Sequence, residues 1–172
     1  MIDKSNTKRM MQHFFTYPTT RFHVRELSRV LRVSTTVILS TLKKLQRDGI
    51  IVVERGPVLT TMKANTDNVQ FTRLKRVNNL ESFCESGLVD YLISEFHRPR
   101  AIVCFGSYSR GDDTESSDID IAIIDGKEIE VNLNEFEKKL KRLISIHVVD
   151  LKRISNEFRA NLSNGIVLDG AL

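Results

Sequence analysis

The chain has 172 residues, of which 41% are hydrophobic and 28% charged. This composition supports one ordinary domain or two small ones and excludes disorder, collagen-like repeats and a disulfide scaffold. The charge is uneven: residues 1–79 hold 15 Lys/Arg and 5 Asp/Glu, a net +10, whereas residues 80–172 hold 11 and 17, a net −6. The basic part favours a polyanion such as nucleic acid, and the acidic part repels one unless metal ions offset its charge. Without a bilayer-spanning apolar stretch or a signal-peptide core, we expect a soluble, cytoplasmic protein with no membrane partner.

Three helices are predicted in the basic part, at Thr7–Phe15, Val24–Leu31 and Thr35–Asp48, because apolar residues recur at helical spacing in each. Ser34 is a favourable N-cap for the third helix, and Gly49 can supply the left-handed residue that ends it. The side chains expected to face the core are Val24, Leu27, Val30 and Leu31 in the second helix and Val37, Ile38, Leu42 and Leu45 in the third.

A β-hairpin is predicted next, with strands at residues 50–54 and 58–62 and a turn at Arg55-Gly56-Pro57. The segment RELSRVLRVSTTVILSTLKKLQRDGIIVVERG, within a domain at residues 1–66, resembles a winged helix-turn-helix. The resemblance implies a DNA partner, with the third helix in the major groove and the hairpin, or wing, on the backbone. The residues it assigns to DNA are Thr35, Thr36, Ser40, Lys43, Lys44 and Arg55. The alternative is a domain that mediates only dimerisation or protein contact, so a homodimer is a further option.

Residues 67–79 are basic and helix-compatible, and we expect them to form a helical connector. A helical pattern continues over Leu80–Phe96 and stops at Arg98-Pro99, because proline cannot continue a helix. This second stretch opens a domain at residues 80–172. The apolar residues expected to pack on that domain are Leu80, Phe83, Cys84, Leu88, Leu92 and Phe96.

The acidic part contains two predicted strands, Ala101–Phe105 and Asp118–Ile124, joined by a short polar segment. Strand alternation places Asp118 and Asp120 on one face, about 7 Å apart along the strand. Such like charges are unfavourable together, so they imply a solvent-exposed edge or bound cations, and Mg²⁺ combines a few carboxylates with substrate phosphates. Gly106 would let backbone N–H groups approach a phosphate, to which Ser107 adds a hydroxyl and Arg110 a cation.

Gly106-Ser107, ten intervening residues and Asp118-Ile119-Asp120 resemble the signature of the minimal nucleotidyltransferases of the DNA polymerase β superfamily. The resemblance covers about residues 80–172 and implies a small α/β domain with a mixed sheet, so that the chain as a whole is α+β. It implies transfer of a nucleoside monophosphate from a nucleoside triphosphate, AMP from ATP being expected, with two Mg²⁺ held by Asp118 and Asp120. The residues that would bind the nucleotide are Gly106, Ser107, Arg110 and Ser117.

The sequence does not identify the molecule that accepts the nucleoside monophosphate. Minimal members of this family are often antitoxins that modify a separate helical toxin, so a toxin protein is one acceptor, and small molecules and RNA are others. A second hypothesis is a transcriptional regulator whose nucleotidyltransferase domain only senses nucleotides.

Active relatives carry a third carboxylate on a later strand. In this chain that strand is predicted at Leu143–Leu151. It follows a predicted helix whose core-facing residues are Leu133, Phe136, Leu140 and Leu143. Asp150 is the residue expected to complete the catalytic set because it is a carboxylate, although it lies near the strand end. His147 is the alternative, since it matches the catalytic register when the residues that follow are compared with the family. The two are three positions apart, so a regular strand cannot direct both to the face of Asp118 and Asp120. An imidazole in this position would weaken Mg²⁺ binding while permitting general-base work, which would put activity in question.

Overall fold

The computed structural model describes residues 4–56 and 59–172. The chain divides into two compact units, residues 1–75 and 76–172. Within the described ranges it contains eight helices and two sheets, which confirms the α+β class. None of the described helices combines the length and the apolar character that crossing a membrane requires.

The first unit contains three helices followed by a two-stranded antiparallel hairpin. The elements are α1 (Lys4–Thr16), α2 (Val24–Leu31), α3 (Thr35–Arg47), β1 (Ile51–Arg55) and β2 (Thr60–Ala64), with a single bridge from Phe22 to Met62. The hydroxyl of Ser34 accepts a hydrogen bond from the backbone of Val37 at the start of α3, and Gly49 takes a left-handed φ of 71° after its end. Pro57 and Val58 of the predicted turn and second strand lie outside the described residues.

One apolar cluster fills the first unit, and it includes Phe14, Leu27, Ile38 and Leu45 from the three helices. Val30 was expected to join it and does not, since it is 51% exposed. The reason is rotational: at about 100° per residue, Val30 lies on the side of Leu27 away from Val24 and Leu31, outside the arc that α2 buries.

Helix α4 (Val69–Ser86) begins in the first unit and ends in the second, and the remaining elements belong to the second unit. They are α5 (Leu88–Glu95), β3 (Ala101–Phe105), α6 (Gly106–Arg110), β4 (Ile119–Ile124), α7 (Asn134–Leu140), β5 (Ile144–Val149), α8 (Asn156–Ser163) and β6 (Ile166–Gly170). The four strands form one sheet in the order β5-β4-β3-β6. β4 runs parallel to β5, and the other two pairings are antiparallel, so the sheet is mixed.

The central strand β4 separates two apolar clusters, one on each face of the sheet. Ile119, Ile121 and Ile123 belong to one cluster, and Ala122 and Ile124 belong to the other. A strand buried on both faces cannot move without disturbing both clusters. The polar residues at its amino-terminal end are therefore carried on a strand that is packed on both faces.

Three apolar residues expected in the core are exposed. Leu80 is 39% exposed and Cys84 is also exposed, because the helix breaks at Gly87 (φ 78°) and α4 turns the opposite face, with Phe83, inward. Leu143 is 64% exposed. Helix α7 ends at Leu140, so Leu143 leads into β5 instead of occupying the next helical turn.

Candidate functional site

Asp118 and Asp120 lie at the start of β4, in the middle of the sheet. Asp118 is exposed just before the strand, and Asp120 is partly buried as its second residue. In the sheet, Asp120 pairs with Phe105 of β3 on one side and with Ser145 of β5 on the other. The flanking strands thus fix the backbone that carries this carboxylate.

The turn from β3 into α6 brings Gly106 against the carboxylate of Asp120. Gly106 has a φ of 72°, in the region that disfavours side chains, and a Cβ placed on it would lie 2.6 Å from Asp120 Oδ2. No other residue type fits here without displacing that oxygen. The turn thus brings a bare backbone against the second carboxylate of the Asp118-Ile119-Asp120 motif.

His147 is the third polar side chain of this site. It lies on β5 directly beside Ala122 of β4, and its Nε2 is 3.2 Å from Oδ1 of Asp120. Its ring packs edge-on against Phe105 at 5.3 Å, and Phe105 packs in turn against Phe158 of α8 at 5.3 Å. The aromatic contacts restrict the ring of His147, so the imidazole is held in place next to the carboxylate.

Asp150 lies in the turn after β5, away from this contact. Its carboxylate accepts a hydrogen bond from the backbone of Lys152 at 2.9 Å and pairs with Nε of Arg153 at 3.3 Å. The structure therefore brings His147 to Asp120 and directs Asp150 into an exposed turn.

Arg110, the last residue of α6, and Ser117, in the loop between α6 and β4, are the two other side chains expected to bind the nucleotide. Arg110 Nε lies 3.0 Å from Oδ2 of Asp112, and both side chains are about half exposed. The hydroxyl of Ser117 accepts a hydrogen bond from the backbone of Thr114 at 2.9 Å. In this structure both side chains contact residues of that loop.

A buried polar network beneath the same loop was not anticipated from the sequence. Asp113 and Arg142 form an ion pair at 3.2 Å with side chains 1% and 3% exposed, and Asn79 donates to Asp113 Oδ1 at 2.9 Å and to the carbonyl of Tyr108 at 2.9 Å. The network links α4, the loop and the segment that leads into β5. The charge of Asp113 is therefore neutralised inside the unit by Arg142, and its carboxylate is not available to a metal ion at Asp118 and Asp120.

Two reactive side chains near the site are kept in their neutral forms. Burial raises the pKa of the Cys104 thiol well above its ordinary value, and the nearby acids Asp120 and Asp113 raise it further. Burial likewise raises the pKa of the Tyr108 hydroxyl, and Asp113 adds to that shift. A thiolate is the nucleophilic form of cysteine, so Cys104 is inert. The reactive side chains of the site are therefore the carboxylates of Asp118 and Asp120 and the imidazole of His147.

The residues at the site fit one divalent cation that is shared with a substrate. Mg²⁺ is usually held by one or two carboxylates together with phosphate oxygens and waters, which Asp118 and Asp120 allow. Among residues 4–56 and 59–172, no three His, Cys, Asp or Glu side chains gather closely enough to hold an ion by themselves. The third position offers an imidazole nitrogen, a donor that suits Mg²⁺ poorly.

The residues assigned to DNA lie on α3 and at the end of β1. Thr35, Thr36 and Lys43 are exposed, and so is Arg55 at the end of its strand. Lys44 and Ser40 are partly buried, and the Ser40 hydroxyl donates to the carbonyl of Val37 at 2.9 Å. The threonines and Lys43 form the accessible part of the set on α3.

Two ion pairs hold the hairpin near its turn, where Glu54 lies beside the last strand pair. Glu54 on β1 lies 2.7 Å from both Arg21 and Lys63. These two cations, Arg21 foremost, lower the pKa of the Glu54 carboxyl to about 2. The hairpin is therefore tied to the segment before α2 as well as to its own second strand.

Comparison with known proteins gives one match. No curated protein and no solved structure matches the chain. Residues 88–170 match the family model described as Polymerase beta, Nucleotidyltransferase, which supports a nucleotidyltransferase domain in the second unit.

Proposed function

We propose that the second unit transfers a nucleoside monophosphate from a nucleoside triphosphate, with ATP as the expected donor, and releases pyrophosphate. The observation that carries the proposal is the contact between Gly106 and Asp120, which joins the two halves of the motif in space. The match of residues 88–170 to the nucleotidyltransferase family model supports the same reaction class.

Each residue of the site has a role in this proposal. The backbone around Gly106 and the hydroxyl of Ser107 approach the phosphates, as glycine-rich turns do at phosphate sites. Asp118 and Asp120 hold Mg²⁺, which when bound would neutralise charge on the phosphates and orient them for displacement. The protein residues then contribute mainly by positioning the reacting groups.

His147 is the residue that we assign to the third position. Its contact with Asp120 at 3.2 Å orients that carboxylate, and its imidazole can accept a proton from an acceptor hydroxyl. A donor set of two carboxylates and one imidazole fits a single Mg²⁺ better than the two ions expected from the family resemblance.

The reaction is tested with purified protein, α-labelled nucleoside triphosphates, Mg²⁺ and host lysate. We expect a labelled acceptor with the wild-type protein and none with Asp118→Ala or Asp120→Ala. Asp90→Ala is the matched control, because it removes an exposed carboxylate on α5. Absence of label with every nucleotide would end the enzyme proposal.

A pair of variants separates the two candidates for the third position. We expect His147→Ala to lower the transfer rate by about 100-fold or more, as loss of a general base does. Asp150→Ala should change it less than threefold, because the Asp150 carboxylate contacts Lys152 and Arg153 of its own turn. The opposite ranking would assign the role to Asp150.

We propose that the first unit binds DNA through α3 and the hairpin as a winged helix. Its support is the net charge of the basic part and the exposure of Thr35, Thr36, Lys43 and Arg55. Lys43→Ala/Lys44→Ala should weaken binding to a mixed-sequence duplex and reduce the salt slope by roughly 0.9 per lost phosphate contact. Lys127→Ala/Lys138→Ala, two exposed lysines of the second unit, is the charge-matched control.

The acceptor is proposed to be a separate protein, such as a helical toxin, and an adjacent gene for a small helical protein would support this. Small-molecule and RNA acceptors are distinguished by the size of the labelled product.

One observation favours a second function, nucleotide sensing without transfer. The side chain next to Asp120 on β5 is His147 and not a carboxylate. Calorimetry that shows ATP binding, together with no labelled product, would favour the sensor.

A further inference from the structure

Helix α4 carries an apolar face that points away from the residues it buries. Val77 is 66% exposed, Leu80 is 39% exposed and Cys84 is exposed, while Phe71, Asn79 and Phe83 are buried on the opposite side. Val77, Leu80 and Cys84 are separated by three and four residues, so all three project from one side of the helix. We call this set, with Arg73 one turn before it, the α4 face.

The spacing of the α4 face is that of a coiled-coil seam. Positions 73, 77, 80 and 84 follow the alternation of four, three and four residues that puts Val77 and Cys84 at a and Arg73 and Leu80 at d. A β-branched residue at a with leucine at d favours two parallel strands. The apolar part of the face, from Val77 to Cys84, therefore suits a second helix of the same kind, and Arg73, which would meet Arg73 of the other copy, ends the seam on its amino-terminal side.

The charges beside the seam complement a second copy in the parallel orientation. Arg76 occupies a g position, and Glu81 occupies the next e position. In a parallel pair these positions face each other across the seam, so Arg76 of each copy meets Glu81 of the other. In an antiparallel pair centred on Leu80, e positions meet e positions and Glu81 of one copy lies against Glu81 of the other. Glu81 and Glu85 also disfavour a phosphate backbone or an anionic membrane as the occupant.

We propose that α4 pairs in parallel with α4 of a second copy of this chain. The interface is isologous, with Val77, Leu80 and Cys84 in the seam and two Arg76–Glu81 ion pairs at its sides. The seam is shorter than two heptads, so the dimer depends on protein concentration. Two copies in one particle would also present two first units, as binding to two-fold symmetric DNA requires.

Cys84 provides a direct probe of the orientation. Seam residues at the same a position lie within the Cα separation that a disulfide bridges in a parallel pair. In an antiparallel pair centred on Leu80 the two Cys84 residues would be offset by about 12 Å along the axis, beyond that range. Cys104, the other cysteine, is buried. Mild oxidation of the full-length protein at micromolar concentration should therefore give a disulfide-linked dimer, and Cys84→Ser should give none.

Variants of the seam residues distinguish a disulfide formed within a stable α4 pair from one formed by chance encounters between monomers. Val77→Asp and Leu80→Asp should each weaken the dimer at least tenfold by sedimentation and abolish the crosslink, while Leu143→Asp, at an equally exposed leucine of the second unit, should leave both unchanged. Circular dichroism checks that the helical content of each variant is retained. A monomer at all concentrations, or a crosslink that Val77→Asp does not affect, would overturn the proposal.

A charge exchange gives a second test that does not depend on apolar substitutions. Arg76→Glu should weaken dimerisation severalfold, and adding Glu81→Arg in the same chain should restore it. A dimer that forms without the Cys84 crosslink, or one that the exchange does not rescue, would refute parallel pairing. Dimerisation that occurs only with added DNA would identify nucleic acid, and not α4, as the link.

Discussion

Replacing Gly106 by alanine should disable the site without unfolding the unit, and a second glycine supplies the control. Gly106 and Gly87 have similar left-handed backbones, with φ of 72° and 78°. Alanine in this conformation costs about 1–2 kcal/mol at either position. A Cβ at Gly87 meets nothing within 4 Å, whereas a Cβ at Gly106 lies 2.6 Å from Asp120 Oδ2. Ordinary contact begins at 3.4 Å, so the carboxylate has to move by 3.4 − 2.6 = 0.8 Å.

The displacement has two measurable results. Asp120 would lose its contact with His147, worth about 1 kcal/mol, so Gly106→Ala should destabilise the second unit by about 1 kcal/mol more than Gly87→Ala. A shift of this size at a reacting group lowers the rate roughly 100-fold. Hydrogen exchange of the amides of β3 and β4 measures the stability, and transfer of labelled nucleotide measures the rate. Equal stability losses together with equal rates in the two variants would refute the steric argument.

Two further predictions concern charge. Arg142→Met should destabilise the second unit by about 3–5 kcal/mol, because it leaves the Asp113 carboxylate buried without its cation. Adding Asp113→Leu should restore most of the lost stability. A loss of less than about 1 kcal/mol for Arg142→Met in the same hydrogen-exchange assay would contradict the role of the ion pair. Glu54 has its pKa lowered to about 2 by Arg21 and Lys63, so its contribution to the stability of the first unit is present above the ordinary carboxyl pKa and is lost as the pH falls toward 2. Glu54→Gln should flatten the acid dependence of hydrogen exchange in the hairpin between about pH 4.5 and 2, and an unchanged profile would exclude this role.

Local patterns predicted most elements of the chain, and distant contacts account for the differences. The capping serine at Ser34, the left-handed Gly49 and the period of α3 are all determined within a few residues, and the structure contains them. The burial of Asp113 depends on Arg142, 29 residues away, and no local pattern distinguishes it from its exposed neighbour Asp112. Failures of this kind arise where a charge acquires a partner that only the tertiary fold supplies.

The third position of the site depends on strand register in the same way. A shift of one residue between β4 and β5 would reverse the face of every side chain on β5. The sequence leaves that register open because a long connection with its own helix separates the two strands. In the structure Asp120 pairs with Ser145, so the β5 side chains on its face are those of Ser145, His147 and Val149. None of them is a carboxylate. Asp120, Ser145 and His147 are therefore the polar side chains on this face of the two strands, and with Asp118 just before β4 they give the site two carboxylates and one imidazole.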